Sequence, residues 1–183
     1  SIKNYRIIQL IERMFQRLGK LEKLELIGLG LNHIDQQAFD GLEASLIELN
    51  LDSNSLDSIP SNALGSLKRL RKLTLSQNRI RSLGSNAFFK CSSALTTLDL
   101  SYNYLTDVDD SAFNGPIQNS LRNVLMQNNE LKWNHFVQIL FNLHQLTELN
   151  VDFNKLSVRS SDLDESVVSN EHYFDVQLSL VAL

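Results

Sequence analysis

The residues of this 183-residue chain best suited to chemistry are one cysteine, Cys91, and four histidines, His33, His135, His144 and His172. Nucleophilic catalysis needs a thiol or hydroxyl beside a base, and zinc needs several Cys or His ligands at short spacings. Neither arrangement occurs. No GxSxG, HExxH, P-loop or CxxC pattern is present, and a single Cys cannot build an internal disulfide. The chain is therefore expected to be no enzyme, with no metal and no cofactor. A net charge of −4 gives no general reason to expect nucleic acid. No apolar run approaches the ~20 residues that cross a bilayer, so no membrane insertion is expected within this segment. With 43% hydrophobic and 21% charged residues, the composition suits a folded core. What remains is recognition chemistry, carried by polar side chains that recur at a fixed interval.

That interval identifies the elements that must hold them. Leucines at 21, 24, 26 and 31 recur as Leu46, Leu49, Leu51 and Leu56, then as Leu70, Leu73, Leu75 and Ile80. The series continues through Leu95, Leu98, Leu100 and Leu105, then Leu121, Val124, Met126 and Leu131, then Leu146, Leu149, Val151 and Leu156. Six units thus begin at 21, 46, 70, 95, 121 and 146 and run to 157. Five carry an asparagine two residues before the last apolar position: Asn54, Asn78, Asn103, Asn129 and Asn154. A second mark follows at Ala38-Phe39, Ala63-Leu64, Ala87-Phe88 and Ala112-Phe113.

These residues resemble leucine-rich repeats of the typical extracellular kind, with the motif LxxLxLxxNxL and a tail xxIxxxAFxxL over residues 21 to 157. The unbroken, cysteine-free run is similar to chaoptin-like ectodomains. The resemblance implies an α/β repeat solenoid, with a curved parallel β-sheet on the concave face and short helices or turns on the convex face. It implies an extracellular or cell-surface setting, because cytosolic subfamilies lack the Ala-Phe tail; the absence of an N-x-Ser/Thr sequon weighs the other way, and the alternative is cytoplasmic.

The physics of the motif is simple. In each LxL core the two apolar residues point inward and the residue between them points out, as in a strand. The asparagine stands where the chain leaves the strand, and its amide can bond backbone groups left unpaired by the turn. A ladder of asparagines is expected, starting or weakening at the first unit, where Gly28, Leu29 and Gly30 replace the motif. Phe of the Ala-Phe pair fills the interior, and Leu42, Leu67 and Cys91 share a core position three residues later, so Cys91 reads as a buried hydrophobe. Phe136, Ile139, Leu140 and Leu143 have helical spacing, as do Ile11, Met14, Phe15 and Leu18, with Gly19 as a C-cap.

The ends are expected to be irregular. Ile7, Leu10, Phe15 and Leu18 match the tail of a preceding unit, which assigns residues 1–20 to a truncated repeat. Residues 158–183 read as an irregular tail and the start of a seventh strand, with Phe174, Val176, Leu178 and Leu180 alternating. The expectation is an internal window of a longer solenoid.

Outward strand positions line up in three columns. The first is Lys23, Glu48, Lys72, Thr97, Asn123 and Glu148; the second is Glu25, Asn50, Thr74, Asp99, Leu125 and Asn150; the third is Ile27, Asp52, Ser76, Ser101, Gln127 and Asp152. Lys23, Glu48 and Lys72 are expected to form a lateral charge ladder. Tyr102, Tyr104 and Phe153 lie just past the strands, near Leu125, and suit a protein interface. Residues 65 to 94 hold seven bases, Lys68, Arg69, Arg71, Lys72, Arg79, Arg81 and Lys90, and no acid. Two readings follow: complementarity between repeats, pairing Arg81 with Asp57 and Lys72 with Glu48, or a polyanion site for a sulfated glycan. The first is preferred. The resemblance implies a non-catalytic protein-recognition module of a cell-surface or matrix receptor or adhesion ectodomain, binding a protein ligand on the concave face. A second copy of the chain is one candidate ligand. The alternative is an intracellular scaffold or regulator of a partner enzyme.

Overall fold

A computed structural model describes residues 8–157 and the pair 177–178. In chain order the strands are β1 (Gln9–Leu10), β2 (Lys23–Glu25), β3 (His33–Ile34), β4 (Glu48–Asn50), β5 (Lys72–Thr74), β6 (Ser82–Leu83), β7 (Thr97–Asp99), β8 (Asp107–Val108), β9 (Asn123–Leu125), β10 (Glu148–Asn150) and β11 (Gln177–Leu178). The helices are α1 (Ser61–Leu64), a 3-10 turn at Pro116–Asn119, and α2 (Trp133–Asn142). One parallel sheet runs β2-β4-β5-β7-β9-β10-β11. Its register makes Lys23, Glu48, Lys72, Thr97, Asn123 and Glu148 successive partners, one per repeat. Gln177 and Leu178 pair with Glu148 and Leu149. The other expectations for the tail, at residues 158–176 and 179–183, lie outside the described residues, as do Ile7 and His172.

The strands are short because the LxL core is flanked by turns, yet pairing continues past their ends. Leu26, Leu51, Leu75, Leu100 and Met126 each donate their N–H to the neighbouring repeat at 2.7–2.8 Å. Inside, Leu49, Leu51, Leu73, Leu75, Leu98 and Leu100 are essentially inaccessible. Phe88 stacks on Phe113 with centroids 5.5 Å apart, and Phe15 on Phe39 at 6.2 Å. Cys91 is buried in the same core. Across from the main sheet, β1 pairs with β3 and β6 with β8.

α2 sits where the spacing places it, with Phe136, Ile139 and Leu143 buried and Leu140 half-buried. The helix expected through Ile11, Met14, Phe15 and Leu18, capped by Gly19, does not form. Residues 12–17 are turns, Arg13 has φ +54°, and Ile11, Met14 and Leu18 are about half exposed. The apolar spacing there comes instead from the repeat tail: Leu10 pairs beside Ile34, and Phe15 stacks on Phe39.

Candidate functional site

The edge where the chain leaves each strand is held by the asparagines. Asn78 Oδ1 accepts the Leu56 N–H at 3.0 Å, and its Nδ2 donates to the carbonyls of Leu51, Leu75 and Ser76 at 3.0–3.1 Å. Asn103, Asn129 and Asn154 repeat this pattern, accepting from Ile80, Leu105 and Leu131. Each asparagine therefore ties its own turn to the preceding repeat. In the first unit, where the motif residue is missing, Asn54 Oδ1 reaches back to the N–H groups of both Leu29 and Leu31 at 3.1 Å. The ladder starts at Asn54.

Beside the asparagines runs a column the sequence did not reveal. Gly28, Ser53, Gln77, Tyr102, Asn128 and Phe153 all have positive φ, between +52° and +67°. The first five donate their N–H to the next repeat at 2.9–3.0 Å. Left-handed backbone is costly for a bulky side chain, but the lateral bond fixes it. The side chain is thereby thrown outward: Tyr102 is 54% exposed and Phe153 79%. Only Gly28 and Asn128 in this column signal the conformation by residue type. Tyr104, 51% exposed, lies under the Arg81 guanidinium, 5.9 Å from its ring centroid.

The concave columns divide. Oδ1 of Asn50, Asp99 and Asn150 accepts the N–H of the residue two ahead at 2.9–3.0 Å, closing Asx turns at the strand ends. These three side chains therefore serve the backbone first. Ser76, expected on the ligand surface, is buried and donates its hydroxyl to Asp52, because the turn folds this column against the neighbouring repeat. Asp52, Thr74, Leu125, Gln127 and Asp152 are half-buried, while Glu25 and Lys72 are exposed. Gln127 Oε1 is buried without a hydrogen-bond partner among the described residues. In the first column Lys23 Nζ lies 2.9 Å from Glu25 Oε1 and 3.9 Å from Glu48 Oε2. The hydrogen bond that Lys23 donates to Glu25, aided by the charge of both carboxylates, raises the Lys23 pKa. Glu48 makes no ion pair with Lys72, so the expected charge ladder ends at Glu48.

The seven bases of residues 65–94 behave unlike the pairing preferred from sequence. All are exposed, and among the described residues none lies within 4.0 Å of a carboxylate. The Arg81–Asp57 and Lys72–Glu48 pairs do not form. Lateral alignment puts Cα atoms in register, but these side chains project into solvent or onto other groups. Lys68 Nζ donates to the Gly65 carbonyl at 2.5 Å, Lys90 Nζ to Asn62 Oδ1 at 2.7 Å, and Arg69 to the Ala44 carbonyl at 3.1 Å.

Two buried titratable groups are perturbed away from this surface. Burial pushes the Cys91 thiol up to about 12, which leaves it protonated and inert at neutral pH. Burial also lowers the pKa of His135, on α2, although Asp107 Oδ1 lies 3.6 Å from its Nε2 and pulls the other way. No set of three or more His, Cys, Asp or Glu side chains that could hold a metal ion converges among the described residues. No helix there is long and apolar enough to cross a membrane.

Parallel strands from β2 to β10 at steps of 24 to 26 residues, with an asparagine binding backbone at the exit of every unit after the first, agree with a family comparison. A model described as a BspA type leucine rich repeat region matches residues 8–139 in six copies. The chain belongs to the leucine-rich-repeat family. Osteomodulin from Bos taurus is 32% identical over 145 residues, covering 76% of this chain. The chain spans only 32% of that relative's length. Two solved leucine-rich-repeat structures superpose on it. The LRIM1/APL1C complex has a TM-score of 0.68 at 26% identity, covering 81% of this chain and 26% of the matched one. A TLR13–ssRNA13 complex has a TM-score of 0.74 at 29% identity, covering 82% and 20%. Osteomodulin is a secreted matrix protein, and it and TLR13 are recognition proteins rather than enzymes.

Proposed function

We propose that this leucine-rich-repeat segment is a non-catalytic protein-recognition module of an extracellular or cell-surface protein, acting in a matrix, receptor or adhesion role. Its ligand, on this reading, lies across the concave sheet and its trailing rim. The observation that carries the reading is the exposure of Tyr102 and Phe153, two repeats apart in one left-handed column, beside Tyr104. Neighbouring strands lie about 4.8 Å apart, so Tyr102 and Phe153 are separated by roughly 10 Å, a span one protein surface can cover. Aromatic side chains are among the residues that most often anchor protein interfaces. The half-buried polar columns inside the rim supply hydrogen-bonding groups around those anchors. Kinship with a secreted matrix protein supports the setting, and the LRIM1/APL1C complex is an example of proteins of this fold joined to one another.

The test is a binding screen of the labelled chain against an array of secreted proteins and ectodomains, this chain included. A partner whose binding drops at least about tenfold with Tyr102→Ala/Phe153→Ala is expected. Partners that bind this double variant and the parent equally would refute the assignment of the rim.

A further inference from the structure

The convex side of the third repeat carries a cleft that the protein-recognition reading does not use. It has a volume of about 520 Å³, and its lining includes Asn62, Gly65, Lys68, Phe89, Lys90 and Pro116. Two ammonium groups converge there: Lys68 Nζ bonds the Gly65 carbonyl, and Lys90 Nζ bonds Asn62, three residues earlier. Gly65 itself lies under Lys90, since a Cβ built on it would stand 3.0 Å from the Lys90 Cβ. Among the described residues no carboxylate lines the cleft, and neither lysine has an acidic partner within 4.0 Å. Beside the lysines stand the ring of Phe89, 56% exposed, and the exposed Pro116. Arg69 and Arg71, both exposed, follow Lys68 along the loop that leads into β5.

From this arrangement we infer that the cleft is a binding site for a sulfated glycan. The sulfates would lie on Lys68 and Lys90, and a sugar ring would pack on Phe89 and Pro116. The chain would continue past Arg69 and Arg71 toward the leading edge of the sheet.

The physical case has three parts. Ammonium groups left without a carboxylate sit in a field of one sign, which favours an anionic ligand. Their existing bonds go to neutral oxygens, each using one of three donors, so donors remain for a sulfate. An exposed aromatic ring beside them offers an apolar face, which a pyranose has and a simple anion lacks. Single-stranded nucleic acid fits less well, because it is held by a series of aromatics on which successive bases stack. The cleft has one such ring.

The experiment measures binding of a heparin-derived tetrasaccharide to the full chain by calorimetry at about 50 mM salt, where exposed charges are weakly screened. Tight binding is expected, weakened at least about tenfold by Lys68→Gln/Lys90→Gln and several-fold by Phe89→Ala. Arg79→Gln/Arg81→Gln makes the same change in net charge on the other edge and should leave affinity within about twofold. Fully desulfated tetrasaccharide should not bind. A matching thermal transition for each variant keeps folding separate from binding. Absence of binding, equal losses in the two double variants, or tighter binding of a single-stranded RNA of equal charge would each overturn the inference. It stands apart from the rim: Tyr102→Ala/Phe153→Ala should leave glycan binding unchanged, so the two readings fail separately.

Discussion

The first repeat and the interior repeats share a motif but are held differently. In the interior, Leu49, Leu73 and Leu98 are at most 1% exposed, and every turn is tied back by an asparagine. In the first unit Leu21, Leu24, Leu26 and Leu29 are only half-buried, Ile27 is 45% exposed, and Asn54 of the next unit does the work of the missing asparagine. The same leucine thus contributes differently according to how many neighbours flank its strand. Stability in a stack of this kind is a sum over interfaces between adjacent units, not a property of the motif.

That contrast predicts a graded set of effects. Leu73→Ala, at a fully enclosed site, should cost about 3 kcal/mol, whereas Leu24→Ala in the first unit should cost about 1 kcal/mol. Urea denaturation followed by far-UV circular dichroism measures both, and equal costs would erase the distinction. Next, Asn78→Ala should cost about 2 kcal/mol, because it strands the buried Leu56 N–H and removes donors from three carbonyls. Asn78→Asp should recover little of this, since a carboxylate keeps the acceptor but loses the donor.

Cys91 reports on the interior separately. With its thiol pushed up to about 12, the native chain should react negligibly with a thiol reagent near pH 8 and must open to be modified. Leu73→Ala should speed that modification, while Leu24→Ala should leave it near the parent rate if the first unit frays alone. The smallest effect concerns α2. The His135 pKa is lowered in the folded chain, so its contribution is complete above the ordinary value of 6.5 and is lost as pH falls through the lowered one. The urea midpoint should therefore drop as pH falls through that range, and His135→Gln should flatten the drop.

The fold was legible because its periodicity is redundant: six leucine sets, five asparagines and four Ala-Phe or Ala-Leu pairs all fix one register. The misread helix at Ile11–Leu18 shows the limit. Apolar residues at i, i+3, i+4 and i+7 arise both from a helix and from a repeat tail wrapping over a core, and only Arg13's left-handed backbone separates them. The candidate surface was less legible for a different reason. Asn50, Asp99 and Asn150 look like ligand contacts, but a short polar side chain at a strand end closes a turn with its own backbone. The left-handed column was hidden because Ser53, Gln77, Tyr102 and Phe153 are not residue types that favour that backbone; at the first three a lateral backbone bond holds it. The Lys72–Glu48 and Arg81–Asp57 pairs failed, while Lys23–Glu48 formed, because register constrains Cα atoms and leaves long side chains free.

The asparagine ladder also has a mechanical meaning. Each amide spans two turns, so force along the chain is borne by short lateral stitches loaded in sequence from an end. Pulled from its termini, the solenoid should lengthen in discrete steps, one coil at a time. Each released coil of about 25 residues would yield roughly 80 Å of slack. Such a segment behaves less like a rod that snaps than like a ratcheting tether, which lets it absorb displacement while its remaining coils stay folded.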